Sequence, residues 1–164
     1  MNEQIRELND IPLPHNQIDP KIQSLVRGLI SVGVVTLSSC EGHLDGVRIP
    51  FPNVGLQNDG VFYENLLMGT VQPIINRFNE TSRVRWEIGD EYAWFRGYAF
   101  YRDLNPVNDT HEDLKSFTQK KLRILQNSAI ALGKFLFVNR TPGLEKNMLR
   151  LGEPVDISRL IEPS

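Results

Sequence analysis

Two hydrophobic periods alternate along this chain, and that alternation limits what it can fold into. Helical spacing runs through Ile22, Leu25, Val26, Leu29 and Ile30, and again through Phe62, Leu66, Val71, Ile74, Ile75 and Phe78. A third helical stripe joins Leu114, Phe117, Leu122, Leu125, Ala129, Leu132 and Leu136. Between these lie segments of strand character. The run 34–39 is short and β-branched, and 83–88 alternates with Val84, Trp86 and Ile88 on one face. The run 93–102 is apolar on both faces, which suits an interior strand. Residues 48–57 read as another strand that Pro50 and Pro52 confine to an edge or a strand end. The expected fold is a single α+β domain over 1–164, ordered α-β-β-α-β-β-α. Its sheet is mixed or antiparallel and packed against helices.

Local signals divide these elements. Asp19-Pro20 is a helix start, with Asp at the N-cap and Pro at the first helical position, and Gly33 suits the C-terminal cap. Gly69 and Pro73 are expected to kink or split the helix over 61–78. Asn58-Asp59-Gly60 and Gly89-Asp90-Glu91 read as turns, and Thr110 with Asp113 resembles a capping box before the last helix. Pro12 and Pro14 make 1–18 an extended lead-in, and 141–164, with Pro142-Gly143 and Pro154, a surface-wrapping tail.

Composition excludes several classes. No 18-residue apolar run exists, so no membrane-spanning helix is expected. The polar start, Met1 to Arg6, lacks a signal-peptide core, and the single cysteine cannot form an intramolecular disulfide. A cytoplasmic setting with a reduced thiol is the expectation. Residues 115–150 hold eight Lys or Arg against one acid, Glu145, while the rest of the chain is acidic. Such a basic stretch is either a solvated helix face or a meeting place for phosphate.

Chemistry concentrates in Ser38-Ser39-Cys40-Glu41-Gly42-His43, at the end of the strand 34–39. A thiol at a strand end, near amide donors and an imidazole, can serve as nucleophile or metal ligand. In this reading Cys40 is the reactive or ligating thiol, His43 the base or co-ligand, and Glu41 the orienting acid. Ser38 and Ser39 are hydrogen-bond donors, and Gly42 permits the tight turn. The plain alternative is a small buried cysteine plugging the strand end. Cys40-x-x-His43 supplies two metal ligands where structural zinc needs four, and His15, His111, Asp45 or Glu41 would have to complete the set. No metal ligand and no cofactor is therefore assigned. No Walker or dinucleotide glycine pattern follows a strand. Arg83, Arg85, Arg96 and Arg102 lie among Trp86, Trp94 and Tyr98, and such a set on a sheet can hold a base or phosphate. Arg96 is taken as the substrate-binding candidate.

Over residues 19–43 the chain resembles the start of the wybutosine-synthesising tRNA methyltransferase family. That family carries an Asp, a helix, and then a Thr-x-Ser-Ser-Cys-Ser-Gly-Arg stretch. The present sequence has Asp19, a helix, and Thr36-Leu37-Ser38-Ser39-Cys40-Glu41-Gly42-His43, with Glu41 in place of Ser and His43 in place of Arg. With those two residues it is more similar to uncharacterised bacterial proteins that carry Ser-Cys-Glu-Gly-His after a similar helix. The resemblance implies methyl transfer to a tRNA purine and carries over Ser38, Ser39, Cys40 and Gly42 as site positions. The expected function is a small enzyme acting on a nucleotide or tRNA-related substrate. The alternatives are a non-catalytic module for a small ligand or metal, and an interaction domain in which the loop is structural.

Overall fold

A computed structural model describes residues 3–45, 51–57, 61–91, 96–101 and 119–141. Its elements are α1 (Glu3–Asp10), a 3₁₀ turn (Pro20–Ile22), α2 (Gln23–Ser31), β1 (Thr36–Cys40) and β2 (Asn53–Gln57). There follow α3 (Val61–Leu66), a π-helical stretch (Leu67–Val71), α4 (Gln72–Thr81), β3 (Trp86–Glu91), β4 (Arg96–Tyr101) and α5 (Gln119–Val138). The fold is α+β, as the alternating periods imply.

The four strands form one antiparallel sheet in the order β1-β2-β4-β3. β4 is interior, as expected for a strand apolar on both faces. β2 is interior too, and Pro52 directly precedes its first residue, where a missing N–H costs no ladder bond. Val54 and Leu56 of β2 are fully buried. The core gathers side chains from the described helices, with α3 packing Leu66 against it, together with β2 and β3.

The N-terminal segment departs from the expected extended lead-in. Residues 3–10 are helical, because Glu, Gln, Arg and Leu favour helix and the prolines come only afterwards, at Pro12 and Pro14. Leu8 and Ile11 are buried, and the Arg27 guanidinium of α2 donates to the Ile11 carbonyl at 3.0 Å. A second departure concerns Gly89-Asp90-Glu91. These residues do not turn the chain. They pair with Tyr98, Gly97 and Arg96 in the β3–β4 ladder, which overrides their turn preference. Asn79 of α4 fixes the start of β3: its side chain donates to the Trp86 carbonyl and accepts the Trp86 N–H, both at 2.8 Å. The 61–78 helix is split around Gly69 by the π-helical stretch, as expected. The tail from 142 onward, Leu114, Phe117, the strand residues 48–50 and the capping-box pair lie outside the described residues.

α2 and α5 meet backbone to backbone. A Cβ on Gly133 would press against the Ser24 carbonyl oxygen, and one on Gly28 would lie 2.7 Å from the Gly133 Cα. No side chain larger than hydrogen fits there. The close crossing carries the segment before α2, the end of β1 and the first half of α5 into one neighbourhood, and the candidate site lies there.

Candidate functional site

Asp19 ends the irregular segment before the 3₁₀ turn, Cys40 ends β1, and His43 follows three residues later. The fold joins them. A carboxylate oxygen of Asp19, Sγ of Cys40 and a ring nitrogen of His43 all lie within 4.8 Å of one another. His43 Nε2 and Asp19 Oδ2 are 3.2 Å apart. Their side chains are 17% and 34% exposed, and Cys40 is half-buried, so the cluster is neither sealed in the core nor free in water. The reading of Cys40 as a plug in an aliphatic interior does not fit these neighbours.

The loop after Cys40 is held by bonds that aim these groups. Gly42 has φ 88°, a conformation that costs an L side chain about 1–2 kcal/mol. Its N–H donates back to Cys40 Sγ at 3.4 Å. The Glu41 N–H donates to Asp19 Oδ2 at 3.3 Å, and the Lys21 N–H donates to Glu41 Oε2 at 2.9 Å. From α5, the buried Gln126 donates its side-chain amide to the Glu41 carbonyl at 3.0 Å.

Glu41 and Asp19 have therefore exchanged the roles that short-range rules suggest. Asp19 stands at the cap position before Pro20 but makes no side-chain capping bond. The free N–H at that helix start is taken by Glu41, twenty residues on, and this leaves the Asp19 carboxylate to face His43 and the Glu41 amide. The Glu41 carboxylate works on the backbone of the 3₁₀ turn.

The other candidates separate from this cluster. Ser38 is exposed on β1 with its Oγ packed over Gly55, and Ser39 pairs in register with Val54. Among the described residues no hydrogen bond joins either hydroxyl to Asp19, Cys40 or His43. Arg96 pairs with Gln57, whereas Cys40 pairs with Asn53 at the other end of β2. Four residues of strand put about 13 Å between those ends. The Arg96 backbone is thus at the other end of β2 from Cys40. His15 is exposed, its Nδ1 accepts the Gln17 N–H at 3.3 Å, and it is not part of the Asp19, Cys40 and His43 cluster. His111, Arg102 and Trp94 lie outside the described residues.

Sequence reasoning alone misses Asp19 and Gln126 as site residues. The one signal for Asp19 is its place at the head of the 19–43 pattern. Gln126 has a weaker one, a polar residue next to the apolar stripe of the last helix.

No protein-family model, no curated protein and no solved structure matches this chain. Among the described residues no helix is long and apolar enough to cross a membrane.

Proposed function

We propose that this chain is a small enzyme whose reaction is centred on Asp19, Cys40 and His43, acting on a nucleotide or tRNA-related substrate. The convergence of those three groups supports the first half of the reading. They come from two segments about twenty residues apart, and bonds from Glu41, Gly42 and Gln126 hold the loop that presents them. A thiol, an imidazole and a carboxylate in mutual reach, partly open to solvent, form a set able to move protons and attack or bind an electrophile. An interaction domain with a merely structural loop has no need of it.

The substrate class is supported by the likeness of residues 36–43 to the tRNA methyltransferase stretch. It is also supported by the exposed Lys120, Lys121, Arg123 and Lys134 on α5, since such cations bind polyanions by releasing counterions.

Two measurements test this reading. The first is alkylation of Cys40 by iodoacetamide in chelator-treated protein at neutral pH. A rate above that of the urea-unfolded chain, lowered in His43→Ala, is expected. Equal rates in all three samples would remove the centre. The second is fluorescence anisotropy of labelled bulk tRNA and of mononucleotides at two salt concentrations. Binding that weakens with salt is expected, and none of either ligand at low salt overturns the substrate class.

A further inference from the structure

We infer that Asp19, Cys40 and His43 form a three-ligand site for one divalent transition-metal ion of the zinc class, with its fourth position open to water or substrate. This rests on reading the same cluster as the working centre, and it names the cofactor that centre takes.

The geometry distinguishes a metal site from a proton relay. In a thiol–imidazole–carboxylate relay the ring stands between its partners and keeps thiol and carboxylate on opposite sides. Here the Asp19 oxygen and the Cys40 sulfur are within 4.8 Å of each other as well as of the ring nitrogen. Three donors arranged around a common point are what an ion requires. Tetrahedral zinc, with bonds of about 2.0–2.3 Å, sets its donor atoms roughly 3.3–3.7 Å apart. The 3.2 Å between His43 Nε2 and Asp19 Oδ2 already lies close to that range. Binding puts the ion in place of the hydrogen between those two atoms: the imidazole becomes the Nδ1–H tautomer by exchange with water, and the Cys40 thiol proton is released to solvent.

The donor set selects the metal. One sulfur, one nitrogen and one oxygen suit zinc and its neighbours, while magnesium and calcium want oxygen alone. Two of the three ligands are anionic when bound, so a dication is neutralised in place. The Gly42 N–H points at the sulfur and the Glu41 N–H at the Asp19 carboxylate, and such outer bonds orient ligands and raise affinity.

Among the described residues the ligand count sets the type of site. Glu41, the nearest further carboxylate in sequence, is bonded to the Lys21 N–H, and His15 is bonded to its own loop. Three protein ligands with a partly exposed mouth match the catalytic class of zinc site, in which the last position is exchangeable. An ion held this way acidifies its bound water and polarises a substrate oxygen.

The test is metal titration of the full chain after treatment with chelator. Zinc is measured by competition with a chromophoric chelator, and cobalt(II) by absorption. The expected result is one zinc per chain. Cobalt should give visible bands of tetrahedral type with a near-ultraviolet thiolate charge-transfer band. Cys40→Ser should abolish the charge-transfer band, and Asp19→Asn and His43→Ala should each weaken zinc at least tenfold. His15→Ala should bind as the unaltered chain does. Circular dichroism of each metal-free variant checks that it folds, and only folded variants are compared. A folded unaltered chain that takes up no zinc overturns the inference, as does unchanged affinity in all three ligand variants. If zinc is absent but Cys40 alkylation still depends on His43, the metal falls and the enzyme reading stands. If zinc binds while tRNA and mononucleotides do not, the substrate class falls and the metal stands.

Discussion

Gln126, buried on the last helix, donates its amide to the carbonyl of Glu41 across 85 residues of chain, at 3.0 Å. This bond ties the site loop to the element that also packs against α2. Gln126→Leu keeps the volume and removes the donor, leaving a half-buried carbonyl without that partner. A loss of about 1–3 kcal/mol in folding stability is expected by urea denaturation. Zinc affinity, measured separately, should fall about tenfold through loosening of the loop. A variant that loses stability while binding zinc as before would show that the bond supports the fold and not the centre.

The exchange of roles between Asp19 and Glu41 makes a second prediction. Glu41→Gln keeps an acceptor for the Lys21 N–H, whereas Glu41→Ala leaves that donor to water. Losing a helix-start acceptor costs about 1 kcal/mol. With Glu41→Ala, Asp19 is also expected to swing back to the cap it vacates, drawing a ligand away. Glu41→Ala should therefore weaken zinc and slow His43-dependent alkylation of Cys40, while Glu41→Gln stays within threefold of the unaltered chain. Equal effects of the two substitutions would indicate that Glu41 acts through its charge.

The same pair shows how far the molecule is legible in its sequence. Elements are readable where burial repeats at a fixed spacing, as in Leu122, Leu125, Ala129, Leu132 and Leu136, or Val54 and Leu56. Gly89-Asp90-Glu91 misleads because turn preference is local and the ladder with β4 is not. The first helix escapes because Pro12 and Pro14 outweigh, to the eye, the helix formers ahead of them. Within the site, Cys40 and His43 stand out because they are close in sequence. Asp19 does not, because an Asp before a Pro already has a sufficient local explanation. Only the fold shows that Glu41 supplies the cap instead. Arg96 illustrates the converse: arginine among aromatics suggests a binding face, and strand register places its backbone at the other end of the sheet from Cys40.

The crossing of α2 and α5 is expected to be intolerant of a single methyl group. Gly133→Ala would drive its Cβ into the Ser24 carbonyl, a backbone atom that cannot rotate away. Overpacking of this kind costs about 1–3 kcal/mol, and the backbone contact puts this case at the upper end. Gly69→Ala is the comparison, because nothing lies within 4 Å of where its methyl group would sit. Thermal unfolding of both should show a clear drop for Gly133→Ala alone. Similar melting temperatures for the two would mean that the helices separate easily, and the site would then lack the rigid support argued for it.

Gly42 offers the sharpest separation of site from fold. Its φ of 88° places the N–H against the Cys40 sulfur and turns the chain so that His43 returns toward Asp19. Alanine at this position faces a penalty of about 1–2 kcal/mol in that conformation. The loop lies at the end of an edge strand, so it can relax to negative φ without unfolding the sheet. Relaxation removes the donor from the sulfur and carries the imidazole off the carboxylate. Gly42→Ala should accordingly keep most of its thermal stability yet lose zinc affinity by tenfold or more, with a weakened cobalt charge-transfer band. A folded Gly42→Ala chain binding zinc as tightly as the unaltered one would show that the backbone turn does not set the geometry of the centre.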